Sequence, residues 1–325
     1  MKKLLILLCF LFTGCALKHQ QLGAAIQAPV LTGSAFSAAD GRNHAVTTWA
    51  PEGEPWAVVI ALHGFNDYRN AFEKPGRYFP RNGVLVLAYD QRGFGEDARA
   101  GYWAKKEALK SDLEAILALA RDSYPGVPLF VLGESMGGAV ALYTLAGKKE
   151  AADGLILVAP AVWGWRPVNI IYKPALWLTA HLMPGKKFSG KNLGLEPTDN
   201  SDVLEAMSDD PYIIKKTRID ALYGLSRIMK HGMKAAPEIE IPTFLITGDK
   251  DDLVPVKMSR RLWDKLPAGL KTRETYNSGY HLLLRDCQAE VVWRDILYFV
   301  AKESGRKIEI SGESQPVCQS SSSSE

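Results

Sequence analysis

The chain has 325 residues, of which 47% are hydrophobic, 23% charged and 10% aromatic, a globular composition that excludes wholesale disorder, a collagen and a coiled coil. Lys plus Arg number 39 against 36 Asp plus Glu, and the net charge of +3 lacks the basic excess that nucleic-acid binding requires. The 4 cysteines, at positions 9, 15, 287 and 318, form no Cys-x-x-Cys pair and no His-Glu-x-x-His string occurs, so neither a disulfide scaffold nor a bound metal is expected.

Lys2 and Lys3 precede an apolar run from Leu4 to Phe12, and Thr13-Gly14-Cys15 follows. A charged start, a short apolar stretch and a small-residue cleavage site are the order of an export signal. The run falls well short of the roughly 20 apolar residues that a spanning helix needs. Phe12-Thr13-Gly14-Cys15 resembles the bacterial lipobox, with Phe12 where Leu is usual. The resemblance implies cleavage before Cys15 and a diacylglycerol on its thiol. Residues 1–14 are therefore expected as a lipoprotein signal peptide and 15–30, which lack periodicity, as a lipidated tether. The address that follows is the bacterial cell envelope, with the chain lipid-anchored to a membrane, the outer one if the cell is Gram-negative. At the other end, residues 304–325 are Ser-rich and polar and read as a disordered tail. Cys318 lies there and Cys287 in the folded part; an oxidising compartment permits a bridge between them and equally permits two free thiols.

Leu31–Phe36 and Ala45–Trp49 read as leading strands, forming an antiparallel edge. Ala57–Leu62, Val84–Ala88, Leu129–Leu132, Leu155–Val158 and Thr243–Thr247 are continuous apolar runs, which suit strands buried on both faces. Helical patterns separate them over Lys105–Arg121, Met136–Leu145 and Ser259–Leu266. A last strand over Thr272–Tyr276 and a helix over Ala289–Ala301 close the pattern. The alternation predicts an α/β domain over 31–303, a mostly parallel eight-stranded sheet flanked by helices. It stops between 160 and 241, where prolines break up helical patterns rich in Trp and Met. Because the chain returns to a core strand at Thr243, this stretch is expected to be a helical lid over one edge of the sheet; an independent second domain is the alternative.

Gly133-Glu134-Ser135-Met136-Gly137 directly follows an apolar strand and opens a small-residue helix, the context that a Gly-x-Ser-x-Gly nucleophile elbow needs. A serine is a poor nucleophile at neutral pH until a base and an orienting carboxylate activate it. Of the six histidines, His281 follows the last strand and precedes the last helix, where the order serine, acid, histidine requires the base. His63 opens a His-Gly turn and reads as loop-shaping, while His19, His44, His181 and His231 have ordinary solvated or core explanations. For the acid, Asp249, Asp251 and Asp252 compete after the strand at Thr243–Thr247. Gly93-x-Gly95-x-x-Ala98 imitates a dinucleotide fingerprint, but Glu96 and Asp97 would face the pyrophosphate. It reads as a structural turn, and no cofactor is expected.

From about residue 45 to 303 the chain resembles an α/β-hydrolase of the monoacylglycerol lipase and lysophospholipase branch. The strings that carry the likeness are His63-Gly64-Phe65, Asp90-Gln91-Arg92-Gly93-Phe94-Gly95, the Ser135 elbow and Gly279-Tyr280-His281-Leu282-Leu283. The resemblance implies Ser135, Asp251 and His281 as a catalytic triad, Asp251 being singled out by the spacing Gly248, Asp251, Pro255. It also implies an oxyanion hole from the backbone N–H groups of Phe65 and Met136. The implied reaction is hydrolysis of acyl esters such as monoacylglycerol or lysophospholipid through an acyl-enzyme. Trp163, Trp165 and Trp177 are candidates for an acyl pocket. A serine peptidase of the same fold and a non-catalytic envelope binding module are the alternatives.

Overall fold

The computed structural model describes residues 17–162, 172–190, 194–308 and 318. Cys15, Trp163, Trp165, the signal segment and most of the Ser-rich tail lie outside the described residues. In chain order the strands are β1 (Val30–Leu31), β2 (Ala35–Ser37), β3 (Asn43–Trp49), β4 (Ala57–Leu62), β5 (Val84–Tyr89), β6 (Leu129–Glu134), β7 (Gly154–Val158), β8 (Lys187–Phe188), β9 (Thr217–Arg218), β10 (Thr243–Gly248) and β11 (Lys271–Tyr276). The helices are α1 (Glu73–Tyr78), α2 (Lys106–Ser123), α3 (Met136–Leu145), α4 (Tyr172–Leu182), α5 (Ser201–Asp209), α6 (Ile219–Ala235), α7 (Val256–Lys265) and α8 (Ala289–Glu303).

One sheet of nine strands runs β1-β2-β3-β5-β4-β6-β7-β10-β11. Its first three strands pair antiparallel and β3 is antiparallel to β5, whereas the rest are parallel. The expected eight strands become nine because Leu31–Phe36 is not one strand. Thr32, Gly33 and Ser34 turn the chain, Thr32 N–H donates to the Ala35 carbonyl at 2.8 Å, and Val30 pairs with Ser37.

Every residue of β4, β5, β6, β7 and β10 is buried. Side chains alternate across a strand, so Val58, Ile60 and Leu62 pack with α2 and α3 on one face, and Val59 packs with Phe72, Phe79, Ile296 and Val300 on the other. The strand order reverses around β4, with β5 on one side and β6 on the other. The carboxyl ends beside such a reversal are where open α/β sheets form ligand crevices.

The 160–241 stretch holds α4, β8, α5, β9 and α6 among the described residues, and β8 pairs antiparallel with β9. It is not detached from the body. A Cβ on Gly232 of α6 would lie 2.8 Å from the Ala139 carbonyl of α3, and one on Gly224 would strike the Trp103 ring. The sequence expectation for 15–30 also needs correction. Residues 17–30 lie along the body: Gln20 N–H donates to the Trp103 carbonyl at 2.7 Å and Lys105 N–H to the Gln20 carbonyl at 2.9 Å, while Leu17 packs near Ile219 and Tyr223. A strap held by backbone bonds has no hydrophobic period to betray it. Cys318 forms a disulfide with Cys287, which ties one point of the expected tail to the domain.

Arg92, in the turn after β5, is buried between Asp40 (2.7 and 2.9 Å) and Asp112 (2.6 and 2.7 Å). Asp90 accepts from the N–H groups of Arg69 and Glu96, so the Asp90–Gly95 string is a structural turn. Removing one member of a buried ionic network leaves uncompensated charge and costs about 3–5 kcal/mol. Arg92→Met is therefore expected to lower the urea midpoint sharply; an unchanged midpoint would show that the network carries no stability.

Candidate active site

β6 ends at Glu134 and α3 begins at Met136, leaving Ser135 as the whole connection at φ 51° and ψ −113°. An L-residue held there costs about 1–3 kcal/mol and persists only when its surroundings fix it. Here Ser135 N–H donates to the Val158 carbonyl at 2.9 Å, and the Ser135 carbonyl accepts from Ala161 at 2.9 Å. Two glycines make the turn sterically possible. A Cβ on Gly137 would lie 2.1 Å from the Leu62 carbonyl oxygen, and one on Gly133 would lie 2.6 Å from Gly138 backbone.

The loops after β10 and β11 bring the other two groups to the serine. A Cβ on Gly248 would lie 2.1 Å from the Gly279 carbonyl oxygen, so the two loops touch backbone to backbone. His281 Nδ1 donates to Asp251 Oδ2 at 2.9 Å, which leaves Nε2 to accept the Ser135 hydroxyl at 3.0 Å. The second carboxylate oxygen, Oδ1, accepts from Leu253 N–H at 2.9 Å and Val254 N–H at 2.8 Å. Ser135, His281 and Asp251 are buried, whereas Asp249 and Asp252 are exposed. Of the three competing aspartates, Asp251 is the one that reaches the imidazole.

His63 takes no part in this chain. Its Nδ1 donates to the Gly64 carbonyl at 2.8 Å, its Nε2 accepts from Gln91 N–H at 3.0 Å, and burial pushes its pKa down. The turn it shapes brings Gly64 against the serine, a Cβ there lying 3.4 Å from Ser135 Cβ. The N–H groups of Phe65 and Met136 have no acceptor among the described residues. Asn66, at φ 65°, donates its side-chain amide to Thr217 Oγ1 at 2.6 Å and accepts Ile214 N–H at 3.0 Å on its carbonyl. The insertion is thereby fastened to the loop that carries Phe65.

Ser135 and His281 open onto a cavity of about 880 Å³. Its outer walls come from the insertion, with Leu176, Met207, Leu222, Leu225 and Met229 facing residues of the sheet loops. Trp177, expected in the pocket, is not among its walls. It is half exposed and stacks on His181 at 4.4 Å instead, because Leu176 one position earlier on α4 occupies the inward face. Trp163 and Trp165 lie outside the described residues.

Sequence reasoning missed a polar cluster in the same cavity. Arg285 Nη2 donates to Asp67 Oδ2 at 2.7 Å and to Glu134 Oε2 at 3.1 Å, and all three residues are buried. Burial raises the Glu134 pKa, against the pull of Arg285. The available signal was a charge inside each of two apolar strings, Glu134 in the elbow and Arg285 after Leu283 and Leu284. Among the described residues no group of three or more His, Cys, Asp or Glu side chains could hold a metal ion.

Asp286 supports the histidine loop by accepting Tyr280 N–H on Oδ2 at 2.8 Å, while its Oδ1 is buried without a partner. Burial pushes this carboxyl up to about 6, against hydrogen bonds from Thr198 and Tyr280. The unfolded group titrates near 4 (about 3.9). Between those values the folded chain keeps a proton that the unfolded chain has lost, so stability falls as pH rises through that window. Asp286→Asn keeps an acceptor for Tyr280 and removes the titration. Urea midpoints of the variant are expected to decline less than the wild type from about pH 4 to about pH 7; parallel declines would exclude Asp286 as the source.

A family model described as Serine aminopeptidase, S33, matches residues 53–288. A monoacylglycerol lipase of Mycolicibacterium smegmatis is 25% identical over 280 residues, covering 82% of this chain and 95% of that protein. A monoglyceride lipase of Homo sapiens is 26% identical over 260 residues, 76% of this chain and 82% of that protein. Among solved structures, a soluble variant of monoglyceride lipase from Saccharomyces cerevisiae in complex with a substrate analog superposes with a TM-score of 0.70 at 21% identity, covering 87% of this chain and 98% of that one. That likeness is one of fold.

Proposed function

The chain belongs to the α/β-hydrolase family described as Serine aminopeptidase, S33, and on that premise we propose that it is a carboxylic-ester hydrolase acting on acyl lipids through a covalent intermediate on Ser135. The observation that carries this reading is the hydrogen-bonded chain Ser135, His281, Asp251 at the base of a cavity walled by apolar residues. The relatives named lipases in bacteria and animals support the ester as the bond cleaved.

In the first half-reaction Ser135 Oγ bonds to the ester carbonyl carbon while His281 Nε2 takes the hydroxyl proton. The carbonyl oxygen becomes an oxyanion and accepts from Phe65 and Met136 N–H, donors worth about 3 kcal/mol each in such sites. Collapse expels the alcohol, which leaves with the proton from Nε2. Water then attacks the acyl-enzyme carbonyl, giving its proton to Nε2; collapse breaks the acyl–Oγ bond, releases the fatty acid and returns that proton to Ser135 Oγ. Asp251 stays ionised throughout, fixing the tautomer and stabilising the imidazolium.

The insertion serves as the cap that receives the acyl chain. Each buried methylene contributes about 0.8 kcal/mol, so Leu176, Leu222, Leu225 and Met229 favour long chains of the kind found in monoacylglycerol or lysophospholipid. An aminopeptidase needs a free carboxylate to hold the substrate ammonium group. Asp67 and Glu134 in this cavity are both bonded to Arg285, whereas Asp252 on the same walls is exposed and forms no ion pair among the described residues, so the preference for the ester over the aminoacyl amide rests on the lipase relatives. The address is read from Cys15: a diacylglycerol on its thiol holds the domain at the surface where such substrates reside.

Ser135→Ala is expected to fold normally, lose labelling by a fluorophosphonate and lose on the order of 10³-fold or more in ester hydrolysis. Wild-type protein inert to both the probe and a panel of acyl esters would sink the enzyme reading. Asp251→Asn should fall by about 10⁴-fold, as a mis-oriented imidazole does elsewhere, with exposed Asp249→Asn close to wild type; the reverse order would reassign the acid.

Cys15→Ala should abolish palmitate labelling in cells and release the protein from membranes, because several acyl chains anchor far more firmly than one. Its rate on a water-soluble ester should equal that of the wild type. Equal membrane retention of the two forms would remove the anchor while leaving the hydrolase intact.

A further inference from the structure

A second cavity, of about 630 Å³, lies where the strap at residues 17–22 crosses between the start of α2 and α6. Its walls carry His19, Lys105, Lys106, His181, Arg227 and His231. It shares no residue with the cavity at Ser135. α6 separates the two: Leu222, Leu225 and Met229 face the serine, while Tyr223, Arg227 and His231 face the other side.

We propose that this cavity is a binding site for a phosphate-bearing anion. The chain as a whole is almost charge-balanced, yet one acid, Glu107, stands among the six basic groups on these walls. That acid is already paired with Lys106 at 2.7 Å. Lys105 and Arg227 form no ion pair among the described residues, and Arg227 meets only the Tyr223 hydroxyl and ring.

The start of α2 is built against the ordinary rule for helices. Its N-cap is Lys105, which supplies no side-chain acceptor, and Lys106 follows, with Glu107 as the acid of the first turn. The cap position normally carries an oxygen that accepts the unpaired N–H groups, and cations there oppose the helix dipole. An oxyanion in the cavity would accept from the two lysines and reverse the sign of their contribution. The imidazoles are prepared for the same guest. His19 Nε2 donates to the Asp220 carbonyl at 3.2 Å and His181 Nδ1 to the Trp177 carbonyl at 2.6 Å, so each keeps one nitrogen that becomes a donor on protonation.

Burial lowers the pKa of His19, with Lys105 and His181 adding to the fall and Asp220 opposing it. Burial also lowers that of His231, with Lys106, Arg227 and Lys230 adding and Glu107 opposing. A bound anion would reverse these shifts, so binding takes up protons. The phosphate has two possible sources, a lipid headgroup or a soluble phosphate ester. Leu17 forms part of the wall, and two residues of chain reach at most about 7 Å. An anchor at Cys15, on the reading given above, would therefore bring bilayer headgroups to the cavity.

The test is calorimetric titration of the full-length protein with inorganic phosphate, followed by the imidazole resonances of His19, His181 and His231. Saturable binding that moves those resonances is expected, and Lys105→Ser with Arg227→Gln should weaken it at least about tenfold. Hydrolysis of a short water-soluble ester should stay within about twofold, which separates failure of this site from failure of the hydrolase reading. With sulfate, whose charge is constant from about pH 5 to pH 8, affinity should rise as pH falls. Vesicles of phosphatidylglycerol that displace bound phosphate would assign the headgroup as the source, and failure to displace it would assign the soluble ester. Absence of saturable binding below about 50 mM phosphate, or equal affinity in the double variant, would overturn the proposal.

Discussion

The left-handed backbone at Ser135 is the constraint from which the rest of the arrangement follows. A serine at φ 51° is unfavourable in an isolated chain, and the cost is offset only where neighbouring strands hold it. β4 lies so close that Gly137 has no room for a Cβ beside the Leu62 carbonyl, and β7 accepts the serine N–H on Val158. The elbow therefore needs β4 and β7 both adjacent to β6 and both parallel to it, which is the order observed. Moving either strand by one residue would turn its side chains to the opposite face and remove the carbonyl that the turn depends on.

His281 and Asp251 hang from the far side of the sheet, where less packing is available. β11 is an edge strand and most of its residues are exposed, so the loop after it cannot rely on neighbours in the sheet. Other bonds replace them. Leu282 N–H donates to the Pro197 carbonyl at 2.8 Å, Tyr280 N–H to Asp286, and Arg285 reaches Asp67 and Glu134. Arg285 thus joins the histidine loop to the loop of Phe65 and to the strand of the nucleophile. Three pieces of chain far apart in sequence are set by one guanidinium, whose planar fork fixes direction as well as distance.

What the sequence revealed depended on how many residues shared a signal. The five buried strands are legible because each is a continuous apolar run in the sequence, and Met136–Leu145 because its helix begins directly at the elbow. Leu31–Phe36 differs from the expected single strand because Thr32, Gly33 and Ser34 turn the chain within it. The places of Ser135 and His281 after β6 and β11 are legible in the residues themselves, whereas Asp251 is separated from Asp249 and Asp252 only by the family resemblance. Trp177 was misassigned because size and apolarity do not say which way a helix faces; a shift of one position, to Leu176, turns a residue by about 100°. Arg285, the strap at Gln20 and the Cys287–Cys318 bridge rest on contacts between residues far apart in sequence, for which no local pattern exists.

The cluster of Asp67, Glu134 and Arg285 also bears on the chemistry at Ser135. In the mechanism proposed above, two carboxylates beside the oxyanion would raise its energy, and in a buried site such repulsion is screened far less than in water. Arg285 offsets one of the two charges directly. The same guanidinium donates to the other at 3.1 Å, while burial raises the Glu134 pKa against that pull. The guanidinium keeps its own charge in the same surroundings, because Asp67 and Glu134 more than reverse the effect of burial on it. The polar end of the cavity thus holds three segments of chain in register beside the N–H groups of Phe65 and Met136 while one guanidinium faces both carboxylates.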